Sequence, residues 1–406
     1  MEHSEQHTVS ALAGVQVIDF TTNISGPSAT AILGDLGADI IKIERVGRGD
    51  DARGMSPKWN GESAYFLAIN RNKKSLALDF TKPEGLELTR RLIGQADVVI
   101  ENFRRGTLVK YGLDAKTVCG EHPRLVYCSL SAYGEVGADR SKPGYDAVLQ
   151  ARTGVMSITG SRADEPSRAG VSLLDAGSGM WAAIGIITAL YHRLQTGRGQ
   201  IVGTSLFETG AYWMNYHLTA FQGTREDPTP QGARHMAFAP YGAFPTQDDF
   251  LLIGISNDAL FQKLVDAMGL SELKEDPKFI HNVNRVQHRD ELEVLLKQRF
   301  ERQTCQDWLT LFEQVGVPCS TIQRVSQVLH DPQLEALGLL KSIEHPTVPE
   351  LRIPAIPVRL TETPAQISSA APLLGAHSRE ILQGIGITDE EFCRLVEGGI
   401  VQSRDE

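Results

Sequence analysis

Short apolar runs and amphipathic stretches alternate through the first third of the chain. Val15–Phe20, Asp39–Glu44, Ser75–Leu78, Asp97–Ile100 and Leu125–Ser129 are brief and rich in aliphatic and β-branched residues, and polar or glycine-containing breaks bound them, which predicts strands. Helical periodicity fills intervals at Pro27–Leu36 and Pro83–Ile93. The second of these opens with Thr81-Lys82-Pro83, a helix-start signal, because proline in the first turn forfeits no intrahelical bond. Alternating strands and helices predict an α/β fold with a mostly parallel sheet under helices. From Val171 a further strand is expected to lead into Asp175-Ala176-Gly177-Ser178-Gly179 and a long small-residue helix ending at Thr196, with Gly197 as its C-cap. Its most apolar part, Met180 to Tyr191, is too short to span a bilayer and reads as a buried helix.

After Gly223–Gly232, a loop rich in proline, glycine and charge, the pattern turns helical near Ala259–Met268, Asp290–Phe300 and Cys305–Val315. The tail then offers strands around Lys341–Glu344 and Leu351–Leu360 and a last helix after Gly375. A chain of 406 residues exceeds the usual single core. The expected organisation is 1–225 as the first part of a large domain, 226–330 as a smaller helix-rich one, and 331–406 as a return to the first.

Charge and cysteine content narrow the function. The 40 Lys+Arg against 50 Asp+Glu give a net charge of −10, which argues against a general nucleic-acid binder. Five dispersed cysteines without a CxxC pair fit a reducing compartment, and Met1 to Ser10 lack a signal-peptide core, so a cytoplasmic protein with no membrane association is expected. GxGxxG, Walker A, GxSxG and HExxH motifs are all missing, and no His/Cys cluster points to a metal.

Two features carry candidate chemistry. Lys42, Arg45 and Arg48 follow the second strand, and Arg71, Lys73 and Lys74 precede the third. Such clusters are most often solvated faces, yet ligands of open α/β sheets bind at strand ends, so a phosphorylated small molecule fits equally well. Asp175 stands where a helix begins, among small residues that leave room for a substrate. An N-cap aspartate is the simpler use of that position, and residue type alone favours it. Ionised and accessible, the same carboxylate is able to attack a thioester.

These residues sit within ordered blocks that span nearly the whole chain: Leu12-Ala13-Gly14-Val15-Gln16-Val17-Ile18-Asp19, Gly34-Asp35-Leu36-Gly37-Ala38, Ile40-Ile41-Lys42-Ile43-Glu44-Arg45 and Asn70-Arg71-Asn72-Lys73-Lys74-Ser75. Val99-Ile100-Glu101-Asn102-Phe103, Gly144-Tyr145-Asp146-Ala147, Thr196-Gly197-Arg198-Gly199-Gln200 and Pro372-Leu373-Leu374-Gly375-Ala376-His377 continue them. Taken together the chain resembles the class III CoA-transferases, the family of formyl-CoA and carnitine CoA-transferases that also holds α-methylacyl-CoA racemase. The resemblance implies a Rossmann-like large domain built from both chain ends, a small domain between, and an interlocked homodimer. It places Asp175 at the catalytic aspartate. CoA contacts fall on Ile24, Arg45, Asn70, Arg71, Asn72, Lys73, Asn102, Phe103, Arg104, Lys110 and Tyr145. CoA esters are then substrates, with small carboxylic acids as partners and no permanently bound cofactor.

The racemase branch carries histidine in a Gly-His-Asp block where this chain has Gly144-Tyr145-Asp146. A neutral tyrosine, with an ordinary pKa of about 10, is poorly matched to proton abstraction at pH 7. A non-catalytic CoA-binding protein is the other alternative, against which Asp175 in its family setting argues. Gly49–Arg53, Glu62–Phe66 and Gly144–Val148 look most like the branch that moves CoA between succinate and glutarate. The consecutive glycines of formate and oxalate members are missing from Gly223–Phe244. A short dicarboxylate pair is therefore expected.

Overall fold

Neighbouring residues of each central strand bury their side chains on opposite faces of one sheet, which is why apolar residues dominate these strands, with Lys42 and Lys73 as buried exceptions. The strands are β1 (Gln16–Asp19), β2 (Asp39–Glu44), β3 (Lys73–Leu78), β4 (Val98–Glu101), β5 (Val126–Ser131), β6 (Ile201–Ser205) and β7 (Val401–Gln402). On one face Ile18, Ile41, Ile43, Leu76, Leu78, Val99 and Tyr127 form a core. On the other Val17, Ile40, Val98, Ile100, Val126 and Cys128 form a second. A parallel sheet covered on both sides demands this composition.

The sheet order is β7-β3-β2-β1-β4-β5-β6, parallel throughout except for β7, which pairs antiparallel with β3 through Val401 opposite Leu78. Helix α1 (Ser25–Asp35) crosses from β1 to β2, and α2 (Pro83–Gln95) from β3 to β4. Next come α3 (Asp146–Arg152), the long α4 (Leu173–Thr196), α5 (Leu206–Trp213), and in the tail α6 (Ser378–Gly384) and α7 (Asp389–Glu397). Leu88, Leu92, Leu382 and Phe392 of α2, α6 and α7 seal the first core. Ala29 and Leu33 of α1, with Ala182, Ala183 and Ile186 of α4, seal the second.

The computed structural model describes residues 10–404, so the polar segment ahead of Ser10 lies outside the described residues. Two compact units emerge: one runs to Gly154 and adds Gly170–Tyr216 and the chain from Gln333 onward, the other comprises Val155–Ala169 and His217–Pro332. The second unit takes in a stretch near residue 160 and starts at His217, where the sequence pattern points to 226. Its antiparallel strands Tyr241–Pro245, Phe250–Gly254 and Cys319–Thr321 pack with helices around Phe244, Phe261, Phe300, Trp308 and Phe312.

Three expectations need correction. No strand forms at Val171, which is exposed, and Ser172 is the N-cap of α4. The strand expected at Leu351–Leu360 shrinks to Arg352–Pro354, because Pro354 and Pro357 cannot donate to a ladder. Helix α4 is buried on one side only: Met180, Ile184, Tyr191 and Leu194 lie exposed along the other. It is long and apolar enough to cross a bilayer, yet Leu174, Ala182, Ala183, Ile186 and Leu190 are committed to the core of the sheet.

The glycines of α4 are packing residues. A Cβ on Gly179 would lie 2.7 Å from the Ser25 carbonyl oxygen, and one on Gly177 would lie 2.3 Å from the Trp213 ring. Ser178 is buried and shares a hydrogen bond of 2.8 Å with Thr209. These small residues let α1 and α5 approach α4 closely, and that approach brings the start of α4 beside the start of α1.

Candidate active site

From β1 the chain builds toward one edge through β2 and β3, then returns to build toward the other through β4, β5 and β6. The carboxyl ends of β1 and β4 therefore border a topological switch point, where open α/β sheets form a crevice. The loops leaving these two strands are stitched together there. Thr22 N–H donates to Asn102 Oδ1 at 2.9 Å, and Asn102 Nδ2 donates to the Thr22 carbonyl at 2.8 Å. Beneath the loop, the buried Lys42 ammonium donates to the Thr21 carbonyl at 2.7 Å and pairs with Asp50 at 2.8 Å. Asp50 accepts the Asn23 N–H at 2.9 Å, which helps hold Asn23 at φ +66°, a left-handed conformation asparagine tolerates.

The crevice is a cavity of about 350 Å³ lined by Ile24, Asn102, Phe103, Arg104, Tyr145 and Asp175 among others. The fold thus gathers six of the residues expected from sequence, drawn from four separate loops and helix starts. Arg105, Arg140 and Lys142 add positive charge to its wall. A neighbouring cavity of about 310 Å³ shares Phe103, Arg104, Arg105 and Arg140 and holds Glu101. Burial pushes the Glu101 carboxyl up to about 7, although it accepts the Phe103 N–H at 2.8 Å.

Asp175 lies in the first turn of α4 and is half-buried. It does not cap its helix. Asp146 of α3 takes that role: its Oδ2 accepts the Leu174 N–H at 2.7 Å and the Asp175 N–H at 3.2 Å. Among the described residues no hydrogen bond or ion pair engages the Asp175 carboxyl. Burial, and then the nearby Asp146 charge, push its pKa up to about 7. A half-buried carboxylate with free lone pairs, facing a ligand-sized cavity, is equipped to act as a nucleophile or base.

The remaining expected residues lie apart from the crevice. Asn70, Arg71 and Lys73 are buried, and a phosphate could reach the Lys73 ammonium only by entering the core. Lys73 donates to Asp19 at 3.2 Å, to the Pro27 carbonyl at 3.0 Å and to Asn70 Oδ1 at 2.8 Å. Arg71 grips both carboxylate oxygens of Asp35, Nε donating to Oδ1 at 2.9 Å and Nη2 to Oδ2 at 2.7 Å. The Asn72 side-chain oxygen accepts the Ser368 and Ser369 N–H groups at 2.7 and 3.0 Å, tying the tail to this segment. Arg71 and Lys73 thus each meet a counter-charge within the chain, as a buried cation requires. Arg45 is exposed and paired at 2.5 Å with Asp51, which itself lines the crevice. Lys110 is exposed, its ammonium 4.8 Å from the Tyr111 ring centroid, next to the Val109 wall of the second cavity.

Sequence reasoning assigned no role to Asp146, although it sits in the quoted Gly144–Ala147 block, and it missed Glu101, Arg105, Arg140 and Lys142. The cations had no usable signal, being spread through an irregular loop and drawn to the site by the fold.

An open α/β sheet with a half-buried, unpartnered carboxyl at its switch-point crevice is equipped for acyl transfer or proton transfer. Comparison with known proteins resolves which. The sequence matches CoA-transferase family III over residues 12–378. It is 34% identical over 404 residues to the human succinyl-CoA:glutarate CoA-transferase, covering 99% of this chain and 92% of the human protein. The succinate–glutarate CoA-transferase of Agrobacterium fabrum is 34% identical, covering 91% and 94% of the two chains. A crystal structure of a CAIB/BAIF family protein from Brucella suis superposes with a TM-score of 0.84 at 34% identity, covering 93% of this chain and 99% of that one. The chain belongs to CoA-transferase family III and is an enzyme of that class.

Proposed function

We propose that this enzyme moves coenzyme A from succinyl-CoA to a short dicarboxylic acid through covalent intermediates on Asp175. The observation that carries the reading is the Asp175 carboxyl, unpartnered at the switch-point crevice beside Ile24, Asn102, Phe103 and Tyr145. Asp175 attacks the donor thioester carbon, the C–S bond breaks, and a mixed anhydride and CoA thiolate form. The thiolate attacks the aspartyl carbonyl, the donor carboxylate leaves, and an aspartyl-CoA thioester remains. The acceptor carboxylate attacks that thioester and expels the thiolate, which then attacks the acceptor carbonyl and restores Asp175. No proton is gained or lost, and the substrate thioester supplies the activation, so no resident cofactor is required.

Two adjoining cavities walled by Arg104, Arg105 and Arg140 suit a long ligand with phosphates at one end, with Arg45 and Lys110 nearby as further cations. The names of the human and Agrobacterium relatives support succinate and glutarate as the acid class. Incubation with succinyl-CoA and a panel of carboxylic acids, followed by mass spectrometry of the CoA esters, tests the reading. Glutaryl-CoA or a similar dicarboxylyl-CoA is expected, with an Asp175 peptide carrying the trapped CoA. Failure to transfer CoA to any dicarboxylate overturns it.

The second unit is taken as the family's small domain, and the active form as an interlocked homodimer. The exposed Met180, Ile184, Tyr191 and Leu194 stripe, with Tyr212 and Tyr216 also exposed, supports burial against a second copy. Differently tagged, pre-folded dimers should form no hybrids over hours, whereas co-expressed chains should; rapid exchange counts against interlocking. Five free cysteines support a cytoplasmic location.

A further inference from the structure

We propose that Asp146 is the positioning residue for Asp175, holding its backbone through the free N–H groups that open α4 and acting on its carboxylate as a like charge at close range. The inference rests on Asp175 being the nucleophile. The first N–H groups of any helix lack intrahelical acceptors, and a side chain at the N-cap usually supplies one. Ser172 occupies the N-cap of α4 and makes no such bond. Asp146 reaches across from α3, buried and accepting from both Leu174 and Asp175 through one oxygen, while its other oxygen accepts from the Gln150 amide. An Asp175 that capped α4 itself would fold its carboxylate back onto those N–H groups. With the cap delegated to α3, the Asp175 side chain is left facing the crevice.

The same arrangement governs charge. Helix α1 presents Asp35, which Arg71 neutralises. Helix α3 presents Asp146 and Arg152, the latter 3.4 Å from Asp139. Helix α5 presents Tyr212 and Glu208, which accepts from Ser205. Strand β5 presents Cys128, kept neutral by burial. Asp51, Arg104, Arg105, Arg140, Lys142 and Tyr145 line the crevice wall, while Asp146, whose Oδ2 is 3.2 Å from the Asp175 nitrogen, is the charge that raises the Asp175 pKa. A more basic carboxylate is the stronger nucleophile once ionised, so the enzyme trades ease of ionisation for reactivity.

Two variants separate the two roles. Asp146→Asn keeps an oxygen acceptor and removes the charge, and Asp146→Ala removes both. The readouts are the pH dependence of kcat/KM for CoA transfer and a carbon-13 titration of aspartate-labelled protein, in which the resonance lost in Asp175→Asn identifies Asp175. Asp146→Asn is expected to move the acid limb and the Asp175 titration down together by about one pH unit. Asp146→Ala is expected to do the same and also lower kcat by about tenfold or more on the alkaline plateau, where misplacement alone limits the rate. An unmoved acid limb and titration in Asp146→Asn overturn the proposal, and this variant decides alone if Asp146→Ala does not fold. Turnover that survives in Asp175→Asn would instead strike the functional reading, while the titration still reports on Asp146.

Discussion

Asp19 and Asp175 both lie on the first, large unit, and the protein treats them in opposite ways. Asp19, at the end of β1, accepts from the Thr21 N–H at 2.8 Å, the Thr21 hydroxyl at 2.5 Å, the Thr30 hydroxyl at 2.7 Å and the Lys73 ammonium at 3.2 Å. Complete burial by itself would raise its pKa, yet Lys42 and Lys73 hold it at about 2. Asp175 has burial and a like charge but no partner, and sits at about 7. A buried carboxylate whose lone pairs are all used is scaffold; here it fixes the Thr21–Ser25 loop that walls the crevice. One left unpartnered at a cavity costs stability, and that cost is what the proposed nucleophile would carry.

The largest test of this contrast is Asp175→Ala, which should fold with an unchanged circular dichroism spectrum and lose turnover by about a thousandfold or more. Substantial residual transfer would place the nucleophile elsewhere. Lys73→Met should act in the reverse sense. It takes away one of the two cations that face the buried Asp19, together with a hydrogen bond, and should destabilise the fold by about 2–4 kcal/mol, read as a lower urea midpoint. An unchanged midpoint would show that the Asp19 cluster is not scaffold.

A smaller effect has a definite sign. Folding raises Asp175 from its ordinary 3.8 to about 7, so between those values the folded state binds more protons than the unfolded one. Its contribution to stability therefore falls as pH rises through that window. Folding lowers Asp19, so its contribution is present above 3.8 and is lost as pH falls toward 2. Asp175→Asn should accordingly be more stable than the parent by about 1–2 kcal/mol above pH 7 and no more stable below pH 4. Urea unfolding at several pH values measures this, and a gain that is constant with pH would remove the charge explanation. The smallest effect belongs to Arg45→Ala, on an exposed side chain. KM for the CoA ester should rise about three- to tenfold with kcat nearly unchanged, and less so at high salt. A change confined to kcat would separate Arg45 from ligand binding.

The strands β1 to β5 were legible because each is largely buried on both faces and announces itself as a short, mostly aliphatic run. Gly197 was equally plain, since it ends α4 at φ +75°, where other residues are strained. Edge elements were not. Strand β6 mixes Gly203 and Thr204 with partly exposed positions, and β7 is two residues long, too short for any period to show. At the crevice, Asp175, Ile24, Asn102, Phe103, Arg104 and Tyr145 were found through family resemblance, and the fold draws them together. How Lys73, Arg71 and Lys42 are placed was not legible, because charge in a strand or strand-side loop carries no mark of which way it points.

Local periodicity, turn chemistry and the ordered family blocks are short-range properties of the chain. By themselves they determined the alternating α/β architecture, the C-terminal end of α4 and the family. What a charged residue does depends on what stands opposite it, and that partner is remote in sequence. Lys73 and Asp19 are 54 residues apart, and Asp146 meets the Asp175 N–H across 29. Only the closing of the sheet and the tight packing of α1 against α4 could decide that one carboxylate is neutralised in the core while the other is left free at the crevice, because the energy of a charge is set by its surroundings and not by its place in the chain.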